Sequence, residues 1–267
     1  MPEMCGEIPN VIEESIFDVK EGILMAQSSI VNIGNAPQLP AYLAQPEGKG
    51  PFPAVVVIFE AFGLNENIKD ITRRFAEAGY VALAPDLYYT EKERVVAYGQ
   101  MEKVFALANT LPDDRAMADM GRALQYLKQQ SKVKGNAIGV TGFCMGGRLA
   151  FLTACVHAAD IAAAVPFYGG SIGGKGRFSG QTLAPLDLAD KIRCPLIVNY
   201  GEKDAFIPMD EVRKVEARLK ELGKQAEVTV YPGADHGYMC TDRASYHAAA
   251  AKDSWEKMIA FFGKHLR

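Results

Sequence analysis

Apolar residues in this chain gather in short runs separated by Gly, Pro, Asn and Asp. Ala54-Val-Val-Val-Ile-Phe59 is continuous rather than alternating, which predicts a central strand buried on both faces. Further strands are predicted over 80–84, stopped by Pro85-Asp86, and over 137–141, 161–168, 195–200 and 226–231. Segments 28–33 and 39–44, split by the turn Gly34-Asn-Ala-Pro37, read as a hairpin. Between these runs the spacing becomes helical. Helices are predicted over 65–78 (closing at Gly79), 91–109, 113–130, 147–156, 208–222 (opened by Pro208) and 243–262. Strand and helix alternation at this density predicts an α/β fold. It has one mostly parallel sheet of about eight strands, the first one or two antiparallel, with helices on both faces. Residues 1–25 lack periodicity and are expected to form a surface arm, leaving 26–267 as a single domain.

Composition narrows the function classes. A chain of 267 residues with 49% apolar and 23% charged residues is ordinary for a soluble globular protein. A net charge of -3 offers no attraction for nucleic acid or an anionic membrane, and neither is expected as a partner. The cysteines, at 5, 144, 155, 194 and 240, are odd in number and contain no C-x-x-C pair. That argues against a disulfide framework or a zinc site and for a reducing, cytoplasmic setting. The start MPEMCGEIPN lacks the basic and apolar regions of a signal peptide.

The chemistry gathers at Gly142-Phe-Cys144-Met-Gly146-Gly147, between a predicted strand and a predicted helix. This is the G-x-nucleophile-x-G elbow with cysteine as the nucleophile. A strand turning at once into a helix strains the nucleophile's backbone and leaves room only for hydrogen beside it. The helix N-terminus below it favours a thiolate. An unperturbed thiol is only about 3% ionised at pH 7, so a base is required. His157, His247 and His265 fall on or beside helices, whereas His236 sits in the turn-rich Pro232-Gly-Ala-Asp-His236-Gly-Tyr238 after the last strand. It is the candidate base. Asp204, in Gly201-Glu-Lys-Asp204 after the preceding strand, is the candidate orienting acid, ahead of Asp210 and Glu202. The chain order of nucleophile, acid and base is that of the α/β-hydrolase fold. The amides of Met145 and Ala61 are the candidate oxyanion donors. Glu60 is an acid directly after an all-apolar strand, where a buried carboxyl is costly without a partner.

Phe59-Glu-Ala-Phe62-Gly-Leu-Asn65, Ala84-Pro-Asp86-Leu-Tyr88, the elbow, Gly201-Glu-Lys-Asp204 and Ala234-Asp-His236-Gly-Tyr238 occur in one order. Together they resemble the dienelactone hydrolase family (carboxymethylenebutenolidases) over roughly residues 30–265. The resemblance implies a Cys144–His236–Asp204 triad cleaving a small ester or lactone, with no metal or cofactor. It also implies that Glu60 contacts the resting thiol and helps convert it to thiolate when substrate arrives. Phe62, Tyr88 and Tyr238, within the matching motifs, are expected near the substrate. Relatives acting on dienelactones hold the substrate carboxylate with two arginines. One lies four residues after the catalytic histidine, where this chain has Cys240, and Arg243 is the nearest replacement. Arg94 is the candidate for the other. The loop 171–185 is longer than in those relatives and brings Lys175 and Arg177 toward the expected mouth. Two other readings are a broad esterase or thioesterase without lactone preference, and a non-catalytic thiol switch on the same scaffold. A switch has no need of His236 and Asp204 in register.

Overall fold

A computed structural model describes residues 26–267; the expected arm over 1–25 lies outside the described residues. Eight strands form one sheet in the order β1-β2-β4-β3-β5-β6-β7-β8. Strands β1 (Ala26–Ile33) and β2 (Leu39–Pro46) make the antiparallel hairpin, and β2 also pairs antiparallel with β4 (Val81–Pro85). The remaining strands, β3 (Phe52–Ile58), β5 (Val133–Phe143), β6 (Ala163–Phe167), β7 (Leu196–Gly201) and β8 (Ala226–Tyr231), run parallel. This is the α/β-hydrolase fold. β3 and β5 lie side by side at the middle of the sheet, and Ala54 through Ile58 are 0% exposed. That burial explains their continuous apolar run.

Helices α1 (Glu66–Glu77), α3 (Asp113–Gln129), α4 (Met145–Val156), α5 (Met209–Glu221) and α6 (Ala248–His265) flank the sheet. α1 starts where Asn65 Oδ1 accepts the Ile68 amide at 3.2 Å, and Gly79 follows its C-cap with a φ of +91°. Residues Met145 through Cys155 of α4 are all buried, so the helix that carries the elbow is held on every side.

Two predicted helices are shorter than their sequence pattern. Only α2 (Met101–Ala108) forms within 91–109. Val95 instead bridges to Gly63, the Val96 amide donates to the Phe62 carbonyl at 3.0 Å, and Arg94 pairs with Asp86 at 3.0 Å. These contacts draw the segment over the loop after β3, and helical spacing cannot compete with them. The last helix begins at Ala248 rather than 243, with His247 Nδ1 accepting the Ala250 amide. Before it the chain makes consecutive turns, Cys240 amide to Gly237 carbonyl and Arg243 amide to Cys240 carbonyl. Arg243 is therefore a loop residue free to face inward. The Gly- and Ser-rich stretch 169–186 is irregular and runs into a short 3-10 helix, Pro185–Lys191. Among the described residues, no helix is long and apolar enough to cross a membrane.

Candidate active site

β5 ends at Phe143 and α4 begins at Met145, leaving Cys144 alone in the turn with φ +56° and ψ -118°. A non-glycine residue in this region stores about 1–3 kcal/mol of strain, so the surrounding contacts must hold it. The Cys144 amide donates to the Phe167 carbonyl at 3.1 Å, and the Cys144 carbonyl accepts from Gly147 and Arg148. The flanking glycines permit this approach. A Cβ on Gly142 would stand 2.1 Å from the Gly146 carbonyl oxygen in the next turn of chain. One on Gly146 would stand 2.4 Å from the carbonyl oxygens of Ile58 and Phe59.

The loops after β7 and β8 bring acid and imidazole together. His236 Nδ1 lies 2.7 Å from Asp204 Oδ2, and both residues are buried. Asp204 Oδ1 accepts the Phe206 amide at 2.9 Å, which fixes the carboxylate plane. With a carboxylate accepting at Nδ1, that nitrogen carries the proton and Nε2 is left as the acceptor. The ring is wedged edge-on between Tyr168 and Phe206, each at 5.2 Å between centroids. Burial disfavours the imidazolium, but charge and hydrogen bonding from Cys144 and Asp204 outweigh it and raise the His236 pKa. The imidazole shares the cleft with Cys144 and can exchange a proton with its thiol.

Glu60 is fully buried, and Arg243 Nη1 donates to its Oε1 at 3.0 Å. Among the described residues, its Oε2 has no hydrogen-bond partner. Burial pushes the Glu60 carboxyl above the usual range, against the pull of Arg243 and His236. The hydrogen bond recorded for this carboxyl is to the guanidinium, not to the thiol. Arg243 lies close over Gly237, where a Cβ would stand 2.0 Å from Nη1 at a φ of +80°. Its guanidinium also covers the Phe62 ring at 5.6 Å. Among the described residues, neither the Ala61 nor the Met145 amide has a partner in a turn or from a side chain, and both residues line the cleft. Two unspent donors beside a thiol can hold an oxyanion.

The cleft opens to solvent. Cys144, His236, Arg243, Phe62, Ala61 and Met145 lie on its wall. Three other expected residues are elsewhere. Tyr88 is buried behind the wall, its hydroxyl donating to the Ala61 carbonyl at 3.2 Å, so it braces the loop after β3. Tyr238 is buried against Tyr168, Tyr231 and Phe167. Arg94 is spent on Asp86 outside the cleft. Of the two basic loop residues, Arg177 lines the cleft and Lys175 does not. Sequence reasoning missed Arg148, which also reaches the wall but is bound by both oxygens of buried Asp113, at 2.6 and 3.1 Å. It also missed the apolar wall formed by Met101, Phe105, Phe178 and Phe206. The four-residue spacing of Met101 and Phe105 was the available signal. Cys240 donates to the Tyr98 hydroxyl at 3.1 Å and is buried. No three metal-ligating side chains cluster among the described residues.

The model of the family described as "Dienelactone hydrolase family" matches residues 39–266. A Yersinia pestis protein described as "Putative carboxymethylenebutenolidase" is 35% identical over 245 residues, which is 91% of this chain and 90% of that protein. A Bradyrhizobium protein described as "Probable 2-oxo-3-(5-oxofuran-2-ylidene)propanoate lactonase" is 32% identical, over 88% of this chain and 94% of its own. Among solved structures, that described as a putative dienelactone hydrolase from Klebsiella pneumoniae superposes with a TM-score of 0.82 at 34% identity. It covers 90% of this chain and 99% of that one.

Proposed function

We propose that this chain, which belongs to the dienelactone hydrolase family, cleaves a small carboxylic ester or lactone through a thioester on Cys144. His236 Nε2 takes the Sγ proton, and the thiolate attacks the substrate carbonyl carbon. The carbonyl π electrons move onto oxygen, where the Ala61 and Met145 amides stabilise the developing charge. Collapse of the tetrahedral species breaks the ester C–O bond, and His236 returns the proton to the leaving alkoxide. A water molecule deprotonated by the same nitrogen then attacks the thioester, releasing the acid and restoring the thiol. Asp204 keeps the imidazole in one tautomer and stabilises its cation throughout.

The observation that carries this reading is the 2.7 Å bond from His236 to Asp204, which holds the imidazole in the same cleft as a cysteine on a strained elbow. Arg243 is the candidate for a substrate carboxylate. It lies on the cleft wall, and an arriving carboxylate would compete with Glu60 for its donors. A released Glu60 would then be an unpartnered buried base beside the reacting groups. That supports the switching role implied by the resemblance through Arg243 rather than through direct contact with the thiol. The relative named as a lactonase supports a lactone among the substrates. The test is turnover of p-nitrophenyl acetate by Cys144→Ala, His236→Ala and the double variant. Each single variant should fold and lose nearly all activity, and the double should be hardly worse, because the two groups act as a unit. Substantial residual activity in Cys144→Ala would remove the thioester.

A further inference from the structure

One wall of the cleft holds no reacting group. On α2, Met101 and Phe105 are one turn apart and share a helix face, with Val104 beside them. Met101 is 42% exposed and Phe105 is 36% exposed. Phe105 meets Phe178 of the 171–185 loop, with ring centroids 5.6 Å apart. Phe206, from the loop after β7, is 44% exposed and reaches the same cleft. These are large apolar side chains left open to water from three separate segments of chain, and they converge on one concavity. Among the described residues, no Asp or Glu lines it.

Clustered apolar exposure of this kind marks a binding surface. A protein partner would need a broad surface patch. This one is concave, and the same cavity contains Cys144 and His236. Its occupant is therefore part of the molecule whose carbonyl sits at Cys144. We infer that the substrate ester or lactone carries an extended apolar arm, an alkyl chain of several carbons or an aryl ring, held between α2 and the 171–185 loop. The inference rests on Cys144 and His236 being the reacting pair. It makes Phe105 and Phe178 specificity-determining residues, and it assigns the longer loop the role of closing the apolar side of the cleft.

Two ester series test it. The first is p-nitrophenyl esters from acetate to octanoate, which lengthen the acyl side. The second is acetates of straight-chain alcohols from ethanol to octanol, which lengthen the leaving group. In at least one series kcat/KM should climb with chain length, by up to about fourfold per buried methylene. Phe105→Ala and Phe178→Ala should flatten that climb, costing the six-carbon ester at least tenfold more than the two-carbon ester, with the loss mainly in KM. Phe105→Leu should restore part of the slope. A flat or falling profile in both wild-type series would overturn the inference. So would a slope that survives in the Phe105→Ala/Phe178→Ala double variant. Titration of the Cys144→Ala protein with butyl and octyl acetate separates binding from chemistry. Tighter octyl binding without Cys144-dependent turnover would keep the apolar arm and remove the thioester reading, whereas Cys144-dependent turnover with no chain-length preference would do the reverse.

Discussion

Arg243→Ala should make the stability of this protein more dependent on pH, because it strips the hydrogen-bonded cation from a fully buried carboxyl. Glu60 is 0% exposed, and among the described residues only its Oε1 is bonded, to Arg243 at 3.0 Å. Without the guanidinium an ionised Glu60 is untenable, so the folded variant must hold it protonated. From an ordinary value of 4.5, protonation at pH 7 spans two and a half units at about 1.4 kcal/mol each, or about 3.4 kcal/mol. At pH 5 the same step costs about 0.7 kcal/mol. The sign follows from the raised folded-state pKa. The variant's stability is intact below pH 4.5 and is lost progressively as pH rises toward the folded-state value. The wild type already bears part of this penalty, since burial raises Glu60 even beside Arg243. A charged hydrogen bond contributes at least about 1.5 kcal/mol. The loss on going from wild type to variant should therefore grow by up to about 2.7 kcal/mol between pH 5 and pH 7. Urea unfolding at both pH values and one ionic strength measures this directly. Loss of the packing of Arg243 on Phe62 contributes equally at the two pH values and cancels. The double variant Glu60→Gln/Arg243→Ala should lose the extra pH dependence. An equal loss at pH 5 and pH 7 in Arg243→Ala would refute the argument and mean that Glu60 finds another partner or reaches water.

Other outcomes test the neighbouring contacts. Gly237→Ala puts a Cβ 2.0 Å from Arg243 Nη1 at a φ of +80°, so it should cost about 1–3 kcal/mol and reproduce part of the pH signature of Arg243→Ala; an unchanged urea midpoint would mean that the guanidinium does not need this approach. Glu60→Gln frees Arg243, whose charge is already coupled to Cys144, so iodoacetamide should alkylate Cys144 faster near pH 7 while ester turnover falls. If neither rate moved, Glu60 would have no part in gating the thiol. Asp204→Asn keeps the shape but weakens the hold on the imidazole tautomer, and should lower kcat by about 10³–10⁴-fold with folding intact; a loss below tenfold would take Asp204 out of the site. Arg243→Ala should also raise KM more for a carboxylate-bearing lactone than for a neutral ester, and equal effects would exclude the guanidinium from carboxylate recognition.

What this sequence determined by itself are features with local causes. The run at Ala54–Ile58 could only be a doubly covered strand, and the glycines at 142 and 146 could only serve a turn with no room for a side chain. His236 and Asp204 were legible because each follows a strand, and in a parallel sheet the ends of β5, β7 and β8 open on one edge. The alternation of strands and helices likewise sets the fold class, since each amphipathic element must bury its apolar face against another layer. What only the tertiary structure decided are the partners reached across long stretches of chain. Arg94 and Arg243 read alike as candidates for a substrate carboxylate, yet one is spent on Asp86 and the other is turned inward onto Glu60, 183 positions away. The helix predicted from 91 was cut back because Val95 and Val96 gain backbone bonds to Gly63 and Phe62. Tyr88 and Tyr238 sit in motif segments but point into the core, because a motif specifies where the backbone runs and not which face each side chain takes. The apolar cleft wall is assembled from α2, the 171–185 loop and the loop after β7. No local pattern could have brought Phe105 against Phe178, since their contact exists only once the sheet has set α2 and that loop side by side.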